Sequence, residues 1–449
     1  MSDFGRGQAA LMTSPHQAAP AAPRSIDAVT VLTCYVVLLM AIPATLIVGP
    51  FGAAGAPAAL FAVAAFCWYL VARQHPGLKI DRGPQPARMA AAGFAFAIVA
   101  AYVSVNRNAL SVSQENGADR GLIVLAGWLG VLLLTADGID RQERLATLVR
   151  RVVAGATAMG ALGMAEFFTG VVFTKYVTIP GLTVHEQLTD LASREGFVRV
   201  IATAGQPLEL AAVLAMSLPL AIHQARFAPP TLRFRRWSQV AFIGGAIPMT
   251  VSRSAIIGLA VIGVLLIPTW TRQERRRAYL LLLAAPVMVW LAKPKLLSGF
   301  AGLFGQLGTD TSSTSRTDAY TAAAPFIAHH PWLGQGFQTF FPQTYFFVDN
   351  QYLTSLIETG VIGLIALIAL FGTGWCLARS ARRAAVDAPT RDLAQCLAAS
   401  VAVGAVSFAT FDALSFTIAP GVFFLVLGCA GALWRLVRAE QQVRVCLAA

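Results

Sequence analysis

The stretch TSSTSRTDAYTAAAPFIAHHPWLGQGFQTFFPQTYFFVDNQYLTSLIETGVIG, from Thr311 to Gly363, is the longest polar-containing segment between two strongly apolar runs. Ser315 followed by Asp318 resembles a capping box, so a helix is predicted to begin near Arg316. The proline and glycines of HPWLGQG predict that this helix ends in a tight turn. Ionisable groups at a membrane surface are costly unless they are paired or bind something. The stretch is therefore either a solvated external loop or a binding site.

The composition of the whole chain excludes an ordinary soluble domain. Its 449 residues are 56% hydrophobic and only 12% charged, with a mean hydropathy of +0.64. Repeated apolar runs of bilayer length are typical of a polytopic helical membrane protein. The net charge of +12 does not indicate nucleic-acid binding, because the arginines fall in short clusters between the apolar runs.

The predicted fold is all-α, a polytopic transmembrane bundle with a long, partly helical external loop. A span needs roughly 20 predominantly apolar residues, and by this rule the chain has about twelve. They lie near 27–48, 53–72, 88–105, 120–137, 148–169, 207–225, 237–252, 254–271, 278–294, 351–378, 392–413 and 417–437.

Three divisions of the chain follow from this pattern. Residues 1–26 are rich in Ala, Pro, Gly and Ser and are predicted to form a disordered cytoplasmic tail. Residues 27–437 form the transmembrane domain, and 438–449 a second cytoplasmic tail. The six cysteines lie in predicted helices or at the C-terminal end, outside the external loops, and have no metal-ligand spacing, so we expect no disulfides and no metal site. No cofactor is expected either.

The basic residues assign the two sides of the membrane. Clusters of arginine occupy alternate loops, as in the RQERRR segment before the ninth predicted span. By the positive-inside rule, both termini are cytoplasmic, and 170–206 and 295–350 are the long external segments. The remaining loops are poor in basic residues and carry only Arg107, Arg120, Lys175, Arg194, Arg199, Arg253, Lys293, Lys295 and Arg316.

Three of these external arginines are candidates for ligand binding. Arg199 precedes a helix, Arg253 lies at the tip of a very tight hairpin, and Arg316 starts the loop helix. A guanidinium binds phosphate oxygens through two parallel hydrogen bonds, so three arginines at one membrane face would suit a lipid pyrophosphate. The alternative is that each one reaches lipid head groups or pairs with a nearby acid.

Acidic residues lie in or beside several predicted spans. Glu209 follows Gln206 and Pro207 in the first turn of its helix, which is ordinary chemistry for a helix start. Glu166, Glu358 and Asp412 lie near the outer ends of other spans, where buried acids usually have a partner. We expect at least one of these acids to pair with one of the three arginines. The spacing of Gly360 and Gly363 is interpreted as close helix packing. The sequence therefore does not decide whether these acids have a structural or a functional role.

Three separated segments together resemble the O-antigen ligase and Wzy-type polysaccharide polymerase superfamily of bacterial membrane glycosyltransferases. They are RVIATAGQPLELA (199–211), VSRSA (251–255), and SRTDAY, HPWLGQGFQTF and DNQYLTSLIETGVIG within 315–363. The resemblance covers roughly residues 120–437 and implies a multi-pass enzyme of the bacterial plasma (inner) membrane. Such an enzyme moves a glycan from undecaprenyl pyrophosphate to an acceptor at the outer face, with inversion and without a metal.

The resemblance also implies roles for particular residues. Arg199, Arg253 and Arg316 would hold the pyrophosphate and neutralise its charge as it leaves, and Asn350 would contact substrate. Two departures from the family pattern, Gln206 in place of a histidine and Asp349 in place of another, favour a polymerase or a ligase with a different acceptor. A carboxylate can accept the acceptor proton as an imidazole does. Asp349 is the first candidate base, followed by Glu209 and His330.

The resemblance also implies partners: a polyprenyl-pyrophosphate-linked glycan, a glycan or lipid acceptor, the bilayer, and other proteins of polysaccharide export. Nucleic acid is not among them. The alternative function is a membrane transporter or a flippase of lipid-linked glycans, since about twelve helices with internal acids would also suit a carrier. Carriers usually show internal repeats and broken helices that meet near the midplane. No clear repeat relates the two halves of this chain. A third alternative is a non-catalytic membrane scaffold, which would not need the outer arginines.

Overall fold

A computed structural model describes residues 27–75, 83–105, 111–185, 193–194, 197–292, 311–342 and 344–448. Over these ranges the chain is almost entirely helical, which confirms the predicted fold class. The α-helices are α1 (Ala28–Ala41), α2 (Pro57–Gln74), α3 (Pro86–Val105), α4 (Val112–Gly138), α5 (Gln142–Thr169), α6 (Pro207–Arg226), α7 (Arg233–Met249), α8 (Arg253–Leu266), α9 (Arg272–Ala292), α10 (Thr311–His329), α11 (Gln351–Ala384), α12 (Ala388–Phe408) and α13 (Ile418–Ala448).

Sheet structure in the described ranges is limited to two antiparallel pairs of very short strands. The strand β1 (Leu46–Ile47) pairs with β2 (Thr183–Val184), and β3 (Ser193–Arg194) pairs with β4 (Phe197–Val198). The first pair joins the chain that follows α1 to the predicted external segment 170–206. All six cysteines are free thiols.

Among the described residues, seven helices are long and apolar enough to cross a membrane, namely α2, α3, α4, α5, α6, α11 and α13. The helix α1 and the stretch Arg253–Thr269 are shorter apolar helices. Each predicted span overlaps a described helix, but the count of about twelve spans stays a prediction. The first predicted tail, residues 1–26, lies outside the described ranges. The second predicted tail, residues 438–449, is helical up to Ala448, because α13 continues through it.

The bundle has central and peripheral helices. Most residues in the apolar windows of α4, α6 and α13 are buried inside the protein, whereas only 28% and 33% of those in α2 and α3 are buried. The exposed side chains include large apolar groups such as Phe96, which is 71% exposed. Exposed apolar side chains on the outside of such a bundle are compatible with contact to lipid.

Local sequence explains where several helices begin. The side chain of Asp27 accepts a hydrogen bond from the backbone amide of Thr30, and Ser111 forms a capping box with Gln114. The prediction that α10 begins near Arg316 is wrong, because Thr311, the first described residue of this segment, is already helical. The Ser- and Thr-rich sequence lies inside the helix rather than at its cap.

Ion pairs join the helix ends at one side of the bundle. Arg226, at the end of α6, donates to Glu274 of α9 at 3.0 Å and also pairs with Asp392 of α12. On the same side, Arg88 of α3 donates to buried Asp137 of α4 at 3.1 Å. These are ends that the arginine distribution assigns to the cytoplasm. The opposite ends carry the segments that resemble the glycosyltransferases.

Candidate functional site

A break at Gly360 separates the first turns of α11 from the rest of this helix. Gly360 has φ 64° and ψ −166°, which lie outside the helical region. A Cβ atom on Gly360 would lie 2.3 Å from the backbone carbon of Trp332, and one on Gly334 would lie 2.2 Å from that of Glu358. The two left-handed glycines therefore let the 331–336 loop lie directly against the broken helix. The interpretation of Gly360 as a helix-packing residue is corrected, since its close neighbour is this loop.

Backbone hydrogen bonds between the 331–336 loop and α11 replace those that the break removes. A polar backbone group inside a membrane protein must find such a partner, because lipid offers none. The loop thus holds the N-terminal part of α11 in a fixed position. The bonds run from Gln335 N to Ile357 O (3.0 Å), from Gly336 N to Glu358 O (2.9 Å), from Val361 N to Pro331 O (2.9 Å) and from Ile362 N to Trp332 O (3.3 Å).

The buried carboxylate of Glu358 is bound by the chain that follows this loop. Its Oε1 accepts a hydrogen bond from the backbone amide of Phe340 at 3.4 Å, and the backbone of Gln338 donates to it as well. The side chain of Gln338 donates to the carbonyl of Leu414 at 3.1 Å and accepts from Arg120. Gln338 therefore links α4, α11 and the connection between α12 and α13.

Two glycines of α4 make room for this chain. A Cβ atom on Gly117 would lie 2.3 Å from the carbonyl oxygen of Gln338, and one on Gly121 would lie 2.8 Å from Phe337. The backbone of the loop consequently packs on the helix surface itself. This contact fixes Gln338 next to Arg120, one turn along α4 from Gly117.

Two of the three predicted arginines lie on adjoining segments. The Nε atom of Arg199 donates to the carbonyl of Thr250 at 3.1 Å, in the turn that precedes Arg253. Arg253 is half-buried and is the first residue of α8. The hydroxyls of Ser252 and Ser254 are 2.6 Å apart beside it. Arg316 belongs to α10, but its side chain lies outside what the structure describes, so the convergence of all three arginines stays a prediction.

Each segment that resembles the glycosyltransferases contains one non-glycine residue with a positive φ. These residues are Ala202 (φ 50°), Val251 (φ 47°) and Gln338 (φ 62°). This conformation costs a residue with a side chain about 1–3 kcal/mol, and such strain collects at functional sites. The sequence could not reveal it, because none of the three is a glycine or an asparagine.

The acids Glu209 and Glu166 have backbone amides as partners. Glu209 is fully buried, and its Oε2 accepts from Gly205 at 2.8 Å. Its Oε1 accepts from Ile418 at 2.7 Å and from Ala419 at 3.1 Å. Glu166 accepts from the amides of residues 201 and 202 at 3.0 and 2.8 Å. These bonds hold the starts of α6 and α13 and the turn at 201–202.

Asn350, rather than Asp349, is the N-cap of α11. Its Oδ1 accepts from the amides of Tyr352 at 3.0 Å and Leu353 at 3.4 Å, and its Nδ2 donates to the hydroxyl of Tyr320 at 3.0 Å. Asn350 thereby ties α11 to α10. Aspartate caps helices as well as asparagine does, but Asp349 does not cap α11, because its neighbour Asn350 takes that role. Asp349 itself is half-buried.

A second carboxylate interacts with Asp349. Asp412 lies in the connection between α12 and α13, and burial raises its pKa to about 6, an effect to which the negative charge of Asp349 adds. A hydrogen bond from Ser415 acts in the opposite direction. Leu414 in the same connection donates its amide to Gln351 at 2.7 Å, which fixes this turn on the start of α11. The sequence had singled out Asp412 as an acid but not as a neighbour of Asp349.

His330 is exposed at the point where α10 meets the 331–336 loop. Its neighbour His329 is also exposed, and the Nδ1 of His329 lies 2.7 Å from the carbonyl of Pro325. Within the described ranges, no group of three or more His, Cys, Asp or Glu side chains is placed to hold a metal ion.

Comparison with known proteins gives one family match. The family model described as O-antigen ligase matches residues 239–368. The resemblance seen in the sequence is therefore confirmed over this region, which contains Arg253, Arg316, His330, Asp349 and Asn350. Arg199 and Glu209 lie outside it. No curated protein matches the chain.

Proposed function

We propose that this chain, similar to O-antigen ligases over residues 239–368, is a membrane glycosyltransferase. It would move a glycan from a polyprenyl-pyrophosphate carrier to an acceptor hydroxyl at the outer face of the bacterial plasma membrane. The observation that carries the proposal is this match, which covers the Arg253 turn, α10, the 331–336 loop and the broken start of α11. The proposal leaves open whether the acceptor is a growing polysaccharide or another molecule.

The match favours an enzyme over a transporter or flippase. The polar groups described above also lie at helix ends and in the connections between them, rather than along a path through the bundle. Asp349, Asn350 and Arg253 all stand next to a helix start. A site at one membrane face suits a reaction between two substrates that meet there.

The reaction requires one proton transfer and one displacement. In the proposed mechanism, the carboxylate of Asp349 takes the proton of the acceptor hydroxyl. The hydroxyl oxygen forms a bond to the anomeric carbon while the bond from that carbon to the pyrophosphate oxygen breaks. Attack from the side opposite the leaving group inverts the configuration of the sugar. The pyrophosphate departs with the electron pair of the broken bond, so its negative charge grows during the step.

Asp349 suits the role of base better than the other candidates do. Asn350 performs the capping that would otherwise occupy Asp349. Both carboxylate oxygens of Glu209 already accept backbone hydrogen bonds, so a structural role explains that residue. His330 is exposed at the end of α10 and remains the alternative base.

Arg199, Arg253 and Arg316 would stabilise the leaving pyrophosphate. Hydrogen bonds to charged groups contribute about 1.5–3 kcal/mol each, and fixed donors stabilise charge that develops in a transition state. The bond from Arg199 to Thr250 joins two of these arginine segments, which supports a shared role. No step of this mechanism is assigned to a metal or a cofactor.

The proposed location requires that the site faces the outside. The arginine distribution places both termini in the cytoplasm and the loop that contains His330 outside. Reporter fusions at His330 and at Arg276 should therefore report opposite compartments. If both report the same compartment, the orientation and the outer-face site are wrong.

The direct test is the surface glycan of a deletion strain. Loss of polymer with single repeats still present would identify a polymerase. Intact polymer left on its lipid carrier would identify a ligase. An unchanged glycan, in a strain with no second copy of the gene, would contradict the proposal.

A further inference from the structure

A small cavity opens beside Arg120, away from the Arg199–Thr250 contact. Its volume is about 40 Å³, and it lies between α1, α2, α4 and the turn at 414–417. By volume it has room for about three water molecules, and therefore for a group of a few atoms rather than a sugar ring. Its lining includes the polar residues Arg120, Gln338, Ser415 and Thr417 and apolar residues such as Leu39 and Ala59.

The structure fixes Arg120 at the wall of this cavity. Its Nη2 donates to the side-chain oxygen of Gln338. Gln338 is itself held by the carbonyl of Leu414, by the close contact with Gly117 and by a left-handed backbone (φ 62°). Gln338 thus holds Arg120 with a strained backbone and two side-chain hydrogen bonds, which is more than the placement of a surface arginine requires. This arrangement is a suitable way to preorganise a binding group.

The charge of Arg120 also acts on the site described above. It is near enough to Glu358 for the two charges to interact, and Glu358 interacts in turn with Asp412. The cavity is lined by residues 414–417 of the connection that carries Asp412, and Gln338 in its wall is bonded through its backbone to Glu358 of α11. Ser415, which is exposed, lies where this cavity reaches the outer surface.

We propose that this cavity binds one oxyanion group of the substrate, through the Arg120 guanidinium and the hydroxyl of Thr417. An arginine fork matches the oxygens of a phosphate or a carboxylate. The apolar wall, with Leu39 and Ala59, keeps bulk water away and strengthens the interaction. That the oxyanion belongs to a glycosyl substrate rests on the proposed function. Its source is either the phosphate of the lipid carrier or the carboxylate of an acidic sugar.

Direct binding to the full-length purified protein tests this proposal without any need for transfer. The probes are farnesyl pyrophosphate, trigalacturonate and, as a neutral control, maltotriose. Isothermal titration calorimetry should detect binding of at least one anionic probe. Arg120→Gln should weaken that binding about 10-fold or more, because a charge-assisted bond is lost. The matched control is Lys175→Gln, an exposed outer-face cation, which should leave binding unchanged.

Two further variants keep the test informative if Arg120→Gln fails to fold. Arg120→Lys keeps the charge but loses the fork, and should bind with intermediate affinity. Ala59→Leu fills the cavity without any change of charge and should weaken the same probe. Gel filtration and thermal unfolding identify variants that have lost the fold, and only folded variants are compared.

The outcome also identifies the source of the oxyanion. A loss confined to farnesyl pyrophosphate assigns the cavity to the carrier phosphate, and a loss confined to trigalacturonate assigns it to an acidic sugar. Equal binding of both anionic probes by wild type and Arg120→Gln, or an equal loss with Lys175→Gln, overturns the proposal. If the deletion strain keeps its glycan while Arg120→Gln still loses binding, the oxyanion site in the cavity is supported and the proposed glycan transfer is rejected.

Discussion

Glu209 and Ile418 are joined by a 2.7 Å hydrogen bond between a fully buried carboxylate and the first amide of another helix. The other oxygen of Glu209 binds the amide of Gly205 before its own helix. One side chain therefore satisfies unpaired amides at the starts of both α6 and α13. The negative charge also lies at the positive end of each helix. This arrangement predicts a structural effect when Glu209 is changed.

Glu209→Ala should strongly destabilise the protein, because it leaves buried amides without an acceptor at about 1–3 kcal/mol each. Glu209→Gln keeps one acceptor oxygen and should destabilise it less. Thermal unfolding of the purified variants measures both effects, and transfer should fall in parallel with the folded fraction. A Glu209→Gln enzyme with normal unfolding and no transfer would instead make Glu209 the base.

Gly360→Ala should prevent the 331–336 loop from packing on α11. The added Cβ would lie 2.3 Å from the backbone of Trp332, and φ is +64°. This backbone conformation, with ψ −166°, costs a residue other than glycine about 1–3 kcal/mol, and overpacking costs about 1–3 kcal/mol more. The midpoint of thermal unfolding should drop accordingly. Gly372→Ala on the same helix is the matched control, since nothing lies within 4 Å of its Cβ. Equal stability of the two variants would show that the break is dispensable.

Hydropathy and arginine distribution predicted the helical class and the positions of the long helices, because each span must satisfy its own backbone. The break at Gly360 was not predicted, since it depends on backbone bonds to a loop far along the chain. Neither Arg120 nor Gln338 stood out as a site residue, because their pairing follows from the tertiary packing of α4. Which of two adjacent residues, Asp349 or Asn350, caps α11 is also decided by backbone geometry rather than by residue type.

Asp412→Asn should change how stability depends on pH. The pKa of Asp412 is raised to about 6 in the folded protein, above the value of about 3.9 for an unfolded chain. Between these values the folded protein holds a proton that the unfolded chain has released. The stability of the wild type should therefore fall as pH rises from about 4 to 6. The variant should lack this component of the fall, as unfolding midpoints across pH 4–7 would reveal. Parallel curves would contradict the assignment.

Arg253→Ala and Arg316→Ala should each abolish transfer while the protein still inserts into the membrane. In the proposed mechanism each change removes charge-assisted bonds to the pyrophosphate, which would contribute about 1.5–3 kcal/mol each. Lysine at either position should restore little activity, because it keeps the charge without the fork. Glycan analysis in complemented deletion strains measures the effect. Arg277→Ala, an exposed arginine of α9, is the control for loss of a positive charge. A near-normal glycan with well-expressed Arg253→Ala would remove that residue from the mechanism.

Asp349→Asn separates a chemical role from a structural one. The change keeps the shape of the side chain and removes only the basic carboxylate. If Asp349 is the base, the rate of transfer should fall on the order of 100-fold or more. Folding should be nearly normal, because the cap of α11 belongs to Asn350. The removal of one negative charge should also lower the pKa of Asp412, which Asp349 raises.

The adjacent residue supplies the controls for Asp349. Asn350→Asp keeps a capping oxygen and should retain the stability of α11, whereas Asn350→Ala should lose about 1 kcal/mol. If Asp349→Asn lowers the rate of transfer but leaves thermal unfolding unchanged, the variant has lost the basic carboxylate and has kept the N-terminal cap of α11. Single-turnover transfer with purified enzyme and lipid-linked glycan measures the rate. An active Asp349→Asn enzyme would assign the proton to His330, or leave catalysis to substrate positioning and stabilisation of the leaving pyrophosphate.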